Sequence, residues 1–407
     1  MAFPRALDGI RVVDLSLNLA GPFCGQVLAD LGADVIKVER PGAGDPARAW
    51  APPAWGGDGT LFLAANRGKR SLALELGTPE GARVLERLLA DADVVIQAFR
   101  PDVAARFGLT EEALRPRFPR LVVVEVAAFN PGSPSAGRPG YDPLLQAHAG
   151  LMSVTGPEGG PPVRVGTSVV DLGAGMWAAL GVLAALRVRD RDAQGTDGQD
   201  RDSQDRDAQG SHVRISLEDT ALSWMAYHLQ GTLATGAAPE PRGTGLGMIA
   251  PYGAFPASDG FLMIAAANDA LFRRLCAALE LDALAADPRL ATNPGRVAHR
   301  TEVEAAVAEA TERLTRAELE ARLVEAGVPC ARVRDAAEVA ADPAVLADPL
   351  REEPHPRIPG YRALALPVVI RGERAPFTRP PPGVGEHTEE ILAELEAGEG
   401  SGGPKEL

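Results

Sequence analysis

The chain has few cysteines, and that scarcity already excludes several kinds of protein. Cys24, Cys276 and Cys330 are the three present in 407 residues, an odd number without paired spacing. They supply no disulfide framework and fit a reducing compartment. No Cys/His group has zinc-ligand spacing, so no metal is expected. Positive charge is also short: 41 Lys and Arg against 55 Asp and Glu leave a net charge of −14. That balance argues against a nucleic acid or an anionic membrane as partner. An anionic ligand would need a local basic cluster instead. The start, Met1-Ala2-Phe3-Pro4-Arg5-Ala6, lacks a basic region followed by an apolar core, so no signal peptide is expected. The longest apolar runs, near 176–186 and 261–267, are shorter than a bilayer span. A soluble, cytoplasmic protein is the expectation.

What is present is enough apolar material for a sizeable core, 45% of residues. The length exceeds that of one usual core, which points to two domains. Residues 10–15 are β-branched and bounded by Gly9, so they read as a buried strand. Residues 21–31 read as a helix closed by Gly32, and 35–38 as the next strand. The amphipathic stretch 78–91 begins Thr78-Pro79-Glu80, a cap followed by proline at the first helical position. Residues 94–96 and 121–126 are further strands. Strands alternating with helices predict an α/β fold with a parallel, doubly wound, Rossmann-like sheet. No G-x-G-x-x-G follows the first strand, so a nicotinamide site is not supported.

Residues 190–209 differ in kind. Arg189-Asp190-Arg191-Asp192-Ala193-Gln194-Gly195 nearly recurs as Asp205-Arg206-Asp207-Ala208-Gln209-Gly210. The segment is polar and low in complexity, and reads as a mobile surface insertion. Beyond it, 212–217 is strand-like and 218–232 helical. Residues 252–267 read as strands around a turn at Asp259-Gly260, followed by helices over 268–279, 300–313 and 316–326 and a strand over 328–333. These predict a second, smaller α+β domain. The Gly- and Glu-rich tail, 398–407, is expected to be disordered.

One residue carries the chemistry. Asp171 lies in Val165-Gly166-Thr167-Ser168-Val169-Val170-Asp171-Leu172-Gly173-Ala174-Gly175, which leads into an apolar helix. A carboxylate at a helix start, among small neighbours, has open space and a favourable dipole beside it. That suits a carboxylate nucleophile, although on these residues alone an ordinary N-cap aspartate is the plainer reading. Cys24 reads as an apolar packing residue, His148 as a structural histidine, and His387 as the start of a C-terminal helix. The run Gly243-Thr244-Gly245-Leu246-Gly247 fits either a flexible lid or a plain turn.

Several short motifs recur in a familiar order: Leu7-Asp8-Gly9, Asp14-Leu15-Ser16, Leu19-Ala20-Gly21-Pro22, Asp30-Leu31-Gly32-Ala33-Asp34-Val35-Ile36-Lys37-Val38-Glu39, Asn66-Arg67-Gly68-Lys69-Arg70-Ser71, Phe99-Arg100-Pro101, Gly140-Tyr141-Asp142, Ala257-Ser258-Asp259-Gly260 and Gly385-Glu386-His387-Thr388. Taken together, over nearly the whole chain, they resemble the class III CoA-transferases, the CaiB/BaiF family, which includes the alpha-methylacyl-CoA racemases. The resemblance implies an enzyme that moves CoA between an acyl-CoA thioester and a free carboxylic acid, with coenzyme A or acyl-CoA as substrate and no metal. It aligns Asp171 with the family's catalytic aspartate. It implies CoA contacts at Arg40, at Lys69 and the neighbouring Arg70, and around Phe99 and Arg106, with Leu17, Asn18, Leu19, Ala20, Ala98 and Tyr141 completing the binding residues. Two positions depart from the common pattern. Gln97-Ala98-Phe99 stands where many members have Glu-Asn-Phe, and Leu17 where many have arginine, so contacts at 17–19 would be mainly backbone or apolar.

Tyr141 separates two branches, since the racemases resemble this chain but carry histidine there. A phenol is a poor base at neutral pH, so transfer is favoured over racemisation. An inactive CoA-binding protein is the third reading. The resemblance further implies that the large domain is built from both chain ends (1–221 and 355–397). The small domain (244–332) is then inserted through linkers at 222–243 and 333–354, and two chains interlock as a homodimer.

Overall fold

The computed structural model describes residues 2–194 and 209–401. Six parallel strands form its main sheet: β1 (Arg11–Asp14), β2 (Asp34–Glu39), β3 (Lys69–Ala73), β4 (Val94–Gln97), β5 (Val122–Ala127) and β6 (His212–Ser216). Their order is β3-β2-β1-β4-β5-β6, the doubly wound order in which connections reverse between β1 and β4. The central strands β1, β4 and β5 are short β-branched runs because both faces are covered. Val12, Val13, Val94, Val95, Ile96, Val122 and Val124 are all buried. The α/β class expected from the sequence is the one found.

Helices α1 (Ala20–Asp30), α2 (Pro79–Ala90), α3 (Asp142–His148), α4 (Val169–Gln194), α5 (Leu217–Trp224) and α6 (Thr388–Ser401) matter most to the site and its frame. Thr78 caps α2, its Oγ1 accepting from Gly81 N at 3.0 Å. Gly32, with φ +112°, ends α1 in a conformation that only glycine adopts easily. Helix α4 packs on α1, β5 and β6, and Gly175 makes the first contact possible. A Cβ there would stand 2.6 Å from the Ala20 carbonyl oxygen. At this length α4 is apolar enough to cross a membrane, longer than the apolar run suggested, because it begins at Val169 and continues to Gln194. Its packing against α1 and the sheet gives that composition an explanation within a protein core. The helix also claims 190–194, which the sequence reading placed in the insertion; the rest of that insertion, 195–208, lies outside the described residues.

The chain divides into two compact units. The first comprises 1–145, 167–224 and 343–407; the second comprises 146–166 and 225–342. The second unit contains an antiparallel sheet of Tyr252–Ala257, Gly260–Ala265 and Cys330–Arg332, covered by helices that include Asp269–Ala278 and Arg316–Glu325. Segment 146–166, assigned to the large domain from sequence, groups with this unit. The stretches read as linkers carry short helices, Ala226–Thr235, Ala336–Ala340 and Pro343–Ala347. At the C-terminus α6 extends to Ser401, into the expected tail; 402–407 lie outside the described residues.

Candidate functional site

The site forms where the sheet's connections reverse. Leu15 to Leu19 leave the carboxyl end of β1, and Ala98 and Phe99 leave the end of β4. A cavity of about 300 Å³ opens there. Leu17, Asn18, Leu19, Ala20, Ala98, Tyr141 and Asp171 all border it, so seven of the residues chosen from sequence meet at one place. A second cavity of about 530 Å³ shares Ala98 and 126–128 with the first and is bordered by Phe99.

The 16–20 loop is held from beneath. Asn18 has φ +67°, a left-handed conformation that asparagine tolerates better than most residues. The buried Asp45 fixes it: its Oδ1 accepts from Asn18 N at 3.1 Å and Ala47 N at 2.9 Å. Gly21 is required because a Cβ there would lie 2.3 Å from the Ser16 side chain.

Asp171 is the third residue of α4, not its cap. The capping is done by Asp142 at the start of α3, whose Oδ2 accepts from Val170 N at 2.7 Å and Asp171 N at 3.2 Å. The N-cap reading of Asp171 therefore falls, and its carboxyl is left to the cavity it borders. Burial, and then the neighbouring Asp142 carboxylate, push that carboxyl up to about 7. Tyr141 and Trp50 meet edge to face at 6.4 Å on the rim, both substantially exposed.

Lys69 is corrected. It is fully buried, and its Nζ donates to Asp14 Oδ2 at 2.8 Å, Asn66 Oδ1 at 2.8 Å and Pro22 O at 2.7 Å. No donor remains for a ligand phosphate. Arg70 is likewise committed, to Asp34, Glu390 and Glu394. Arg40 is exposed and borders neither cavity. Arg106 is also exposed, and its guanidinium stacks over Phe107. Sequence reasoning had quoted Arg100 only within a motif and missed Arg138. Both border the larger cavity, and neither has a carboxylate partner among the described residues. Trp50, Ser168 and Leu217 at the smaller cavity were also missed. For Arg138 and Leu217 the usable signal was position after β5 and β6, at the sheet's carboxyl edge; Trp50 gave none.

Other candidates resolve simply. Cys24 is buried, and its thiol is pushed far up by burial. His387 pairs with β3, its N donating to Ser71 O at 3.0 Å. Among the described residues no group of three or more His, Cys, Asp or Glu side chains is placed to hold a metal ion.

The doubly wound sheet thus carries a carboxylate at its switch point, at the mouth of a small-residue helix. The sequence profile of CoA-transferase family III matches residues 7–388. A succinate–glutarate CoA-transferase from Agrobacterium fabrum is 38% identical over 400 residues, covering 96% of each chain. A human succinyl-CoA:glutarate CoA-transferase is 32% identical over 394 residues, covering 96% of this chain and 86% of that one. Among solved structures, a CaiB/BaiF family protein from Brucella suis superposes with a TM-score of 0.82 at 35% identity, covering 95% of this chain and 98% of that one. The chain belongs to CoA-transferase family III and is an enzyme of that class.

Proposed function

We propose that the enzyme exchanges CoA between an acyl-CoA and a free acid through covalent states of Asp171. The observation that carries this reading is the partly buried Asp171 carboxyl, bordering a cavity at the switch point and not consumed as a cap. Asp171 attacks the thioester carbonyl, the C–S bond breaks, and CoA thiolate leaves a mixed anhydride. Thiolate attack on the Asp171 carbonyl releases the first acid as its carboxylate and forms an aspartyl-CoA thioester. The incoming acid reverses both steps, so the thioester is conserved and no net proton is consumed. Arg100 and Arg138 at the larger cavity supply charge for the CoA phosphates. The relatives' names support a short dicarboxylate as the exchanged acid. Tyr141, standing where the racemases carry histidine, supports transfer over racemisation.

The test pairs a donor with labelled acids. Succinyl-CoA incubated with labelled glutarate yields labelled glutaryl-CoA, and hydroxylamine quenching modifies Asp171. Exchange of the α-hydrogen in heavy water without transfer would establish the racemase instead.

We further propose a homodimer. The family resemblance supports it, as does the apolar face that α4 leaves uncovered in this chain: Met176 is 52% and Leu180 53% exposed. Analytical ultracentrifugation at nanomolar concentration is expected to give twice the chain mass. A folded, active monomer would refute the assembly.

A further inference from the structure

Asp142 lies beside the reacting carboxyl without being the group that reacts. It is almost fully buried, and one of its oxygens holds the N–H groups of Val170 and Asp171 together. That bond ties its charge to the backbone of the very residue that must attack the thioester. Glycine at 140 allows the approach, since a Cβ there would lie 2.8 Å from the Ala128 and Leu145 side chains. A neutral acceptor would cap α4 as well. The carboxylate adds a negative charge next to Asp171.

His148 lies on α3 with Asp142, and several other charged groups on α4 and the elements packed against it have partners of their own. On α5, Glu218 accepts from Asn130 N, and Asp219 from Ser216 Oγ and Asn130 Nδ2. On β5 and β6, His212 and Arg214 each pair with the Glu125 carboxylate. On α1, Asp30 pairs with Arg67. On α4 itself Arg189 pairs with Asp93. Tyr141, on the cavity rim, is the nearest titratable neighbour in sequence.

We propose that Asp142 is a positioning residue for the transfer: it caps α4 so that Asp171 borders the cavity, and its charge disfavours the free Asp171 anion relative to the aspartyl-CoA thioester. The inference rests on Asp171 being the nucleophile. The balance is Asp171 carboxylate plus acyl-CoA giving aspartyl-CoA plus the acid's carboxylate. One anion is consumed and one released, so anything that raises the energy of the anion on Asp171 moves the equilibrium toward the covalent state. The direction in which burial and Asp142 push the Asp171 carboxyl agrees.

Asp142→Asn is the deciding variant, because the amide oxygen still accepts both N–H groups while the charge is gone. The fraction of enzyme carrying a CoA adduct is read by intact mass at a set ratio of succinyl-CoA to succinate. The expected result is an adduct equilibrium constant several-fold lower than in wild type. The acid limb of the rate profile should also move to lower pH. Asp142→Ala loses the cap as well and should lower thermal stability, which Asn restores. An unchanged adduct constant and pH profile in Asp142→Asn, with Asp171 still trapped by hydroxylamine, overturns the role of Asp142 and leaves the nucleophile standing. Absence of any adduct on Asp171 in the wild type overturns both.

Discussion

Asp171→Ala is expected to lose CoA transfer by about four orders of magnitude or more, the scale seen when a covalent catalyst is removed, while binding of CoA persists. The substitution removes the attacking oxygen and leaves the larger cavity with Arg100 and Arg138 intact. Equilibrium binding of CoA to the variant and single-turnover transfer measured side by side separate the two effects. Full transfer by the variant would end the covalent mechanism. The same variant carries a stability signature. The Asp171 carboxyl is held near 7 in the fold against 3.8 for the ordinary group. A raised carboxyl is neutral to stability below about pH 4; its cost grows as pH rises from there toward 7 and is constant above it. The Tm of Asp171→Ala relative to wild type should therefore rise between pH 4 and pH 8. A constant difference across that range would show that the carboxyl is not raised.

Lys69→Met is expected to cost about 3 to 5 kcal/mol of stability, the usual consequence of stranding one member of a buried ion pair. Asp14 would be left fully buried without its 2.8 Å partner. The loss should fall toward the lower end, because Lys37 also lowers the Asp14 carboxyl. Urea denaturation reads it directly. A lysine that bound a CoA phosphate would behave oppositely, raising KM for acyl-CoA with the urea midpoint unchanged.

Lys69 also shows where sequence legibility stopped. Five of the six strands were readable because each β-branched run stands alone between glycines or caps, and their order sufficed for the doubly wound class; β3, Lys69-Arg70-Ser71-Leu72-Ala73, has no β-branched residue and was not read as a strand. Asp171 was readable because small residues on both sides mark a carboxylate with room around it. The fate of Lys69 was not, because its partner Asp14 lies 55 residues earlier and only the β1–β2–β3 neighbourhood brings them together. Asp142 was visible as a motif but not as a cap, for the same reason: the helix it serves begins well downstream. Arg138 and Trp50 sit in irregular segments, where no periodicity announces which way a side chain will face.

The way α6 closes on β3 bears on how this protein is made. Arg70 on the edge strand reaches Glu390 and Glu394, Ser71 pairs with His387, and the buried Arg48 donates to Pro382 O at 2.9 Å. Ile391 and Leu395 belong to the same core as Val13 and Leu72. At about 5–20 residues per second, the first strands leave the ribosome tens of seconds before the helix that covers them. For that interval the nascent chain presents a bare edge and an unfilled core. Synthesis speed and chaperone supply should therefore govern the yield of soluble enzyme more than the stability of the finished fold does.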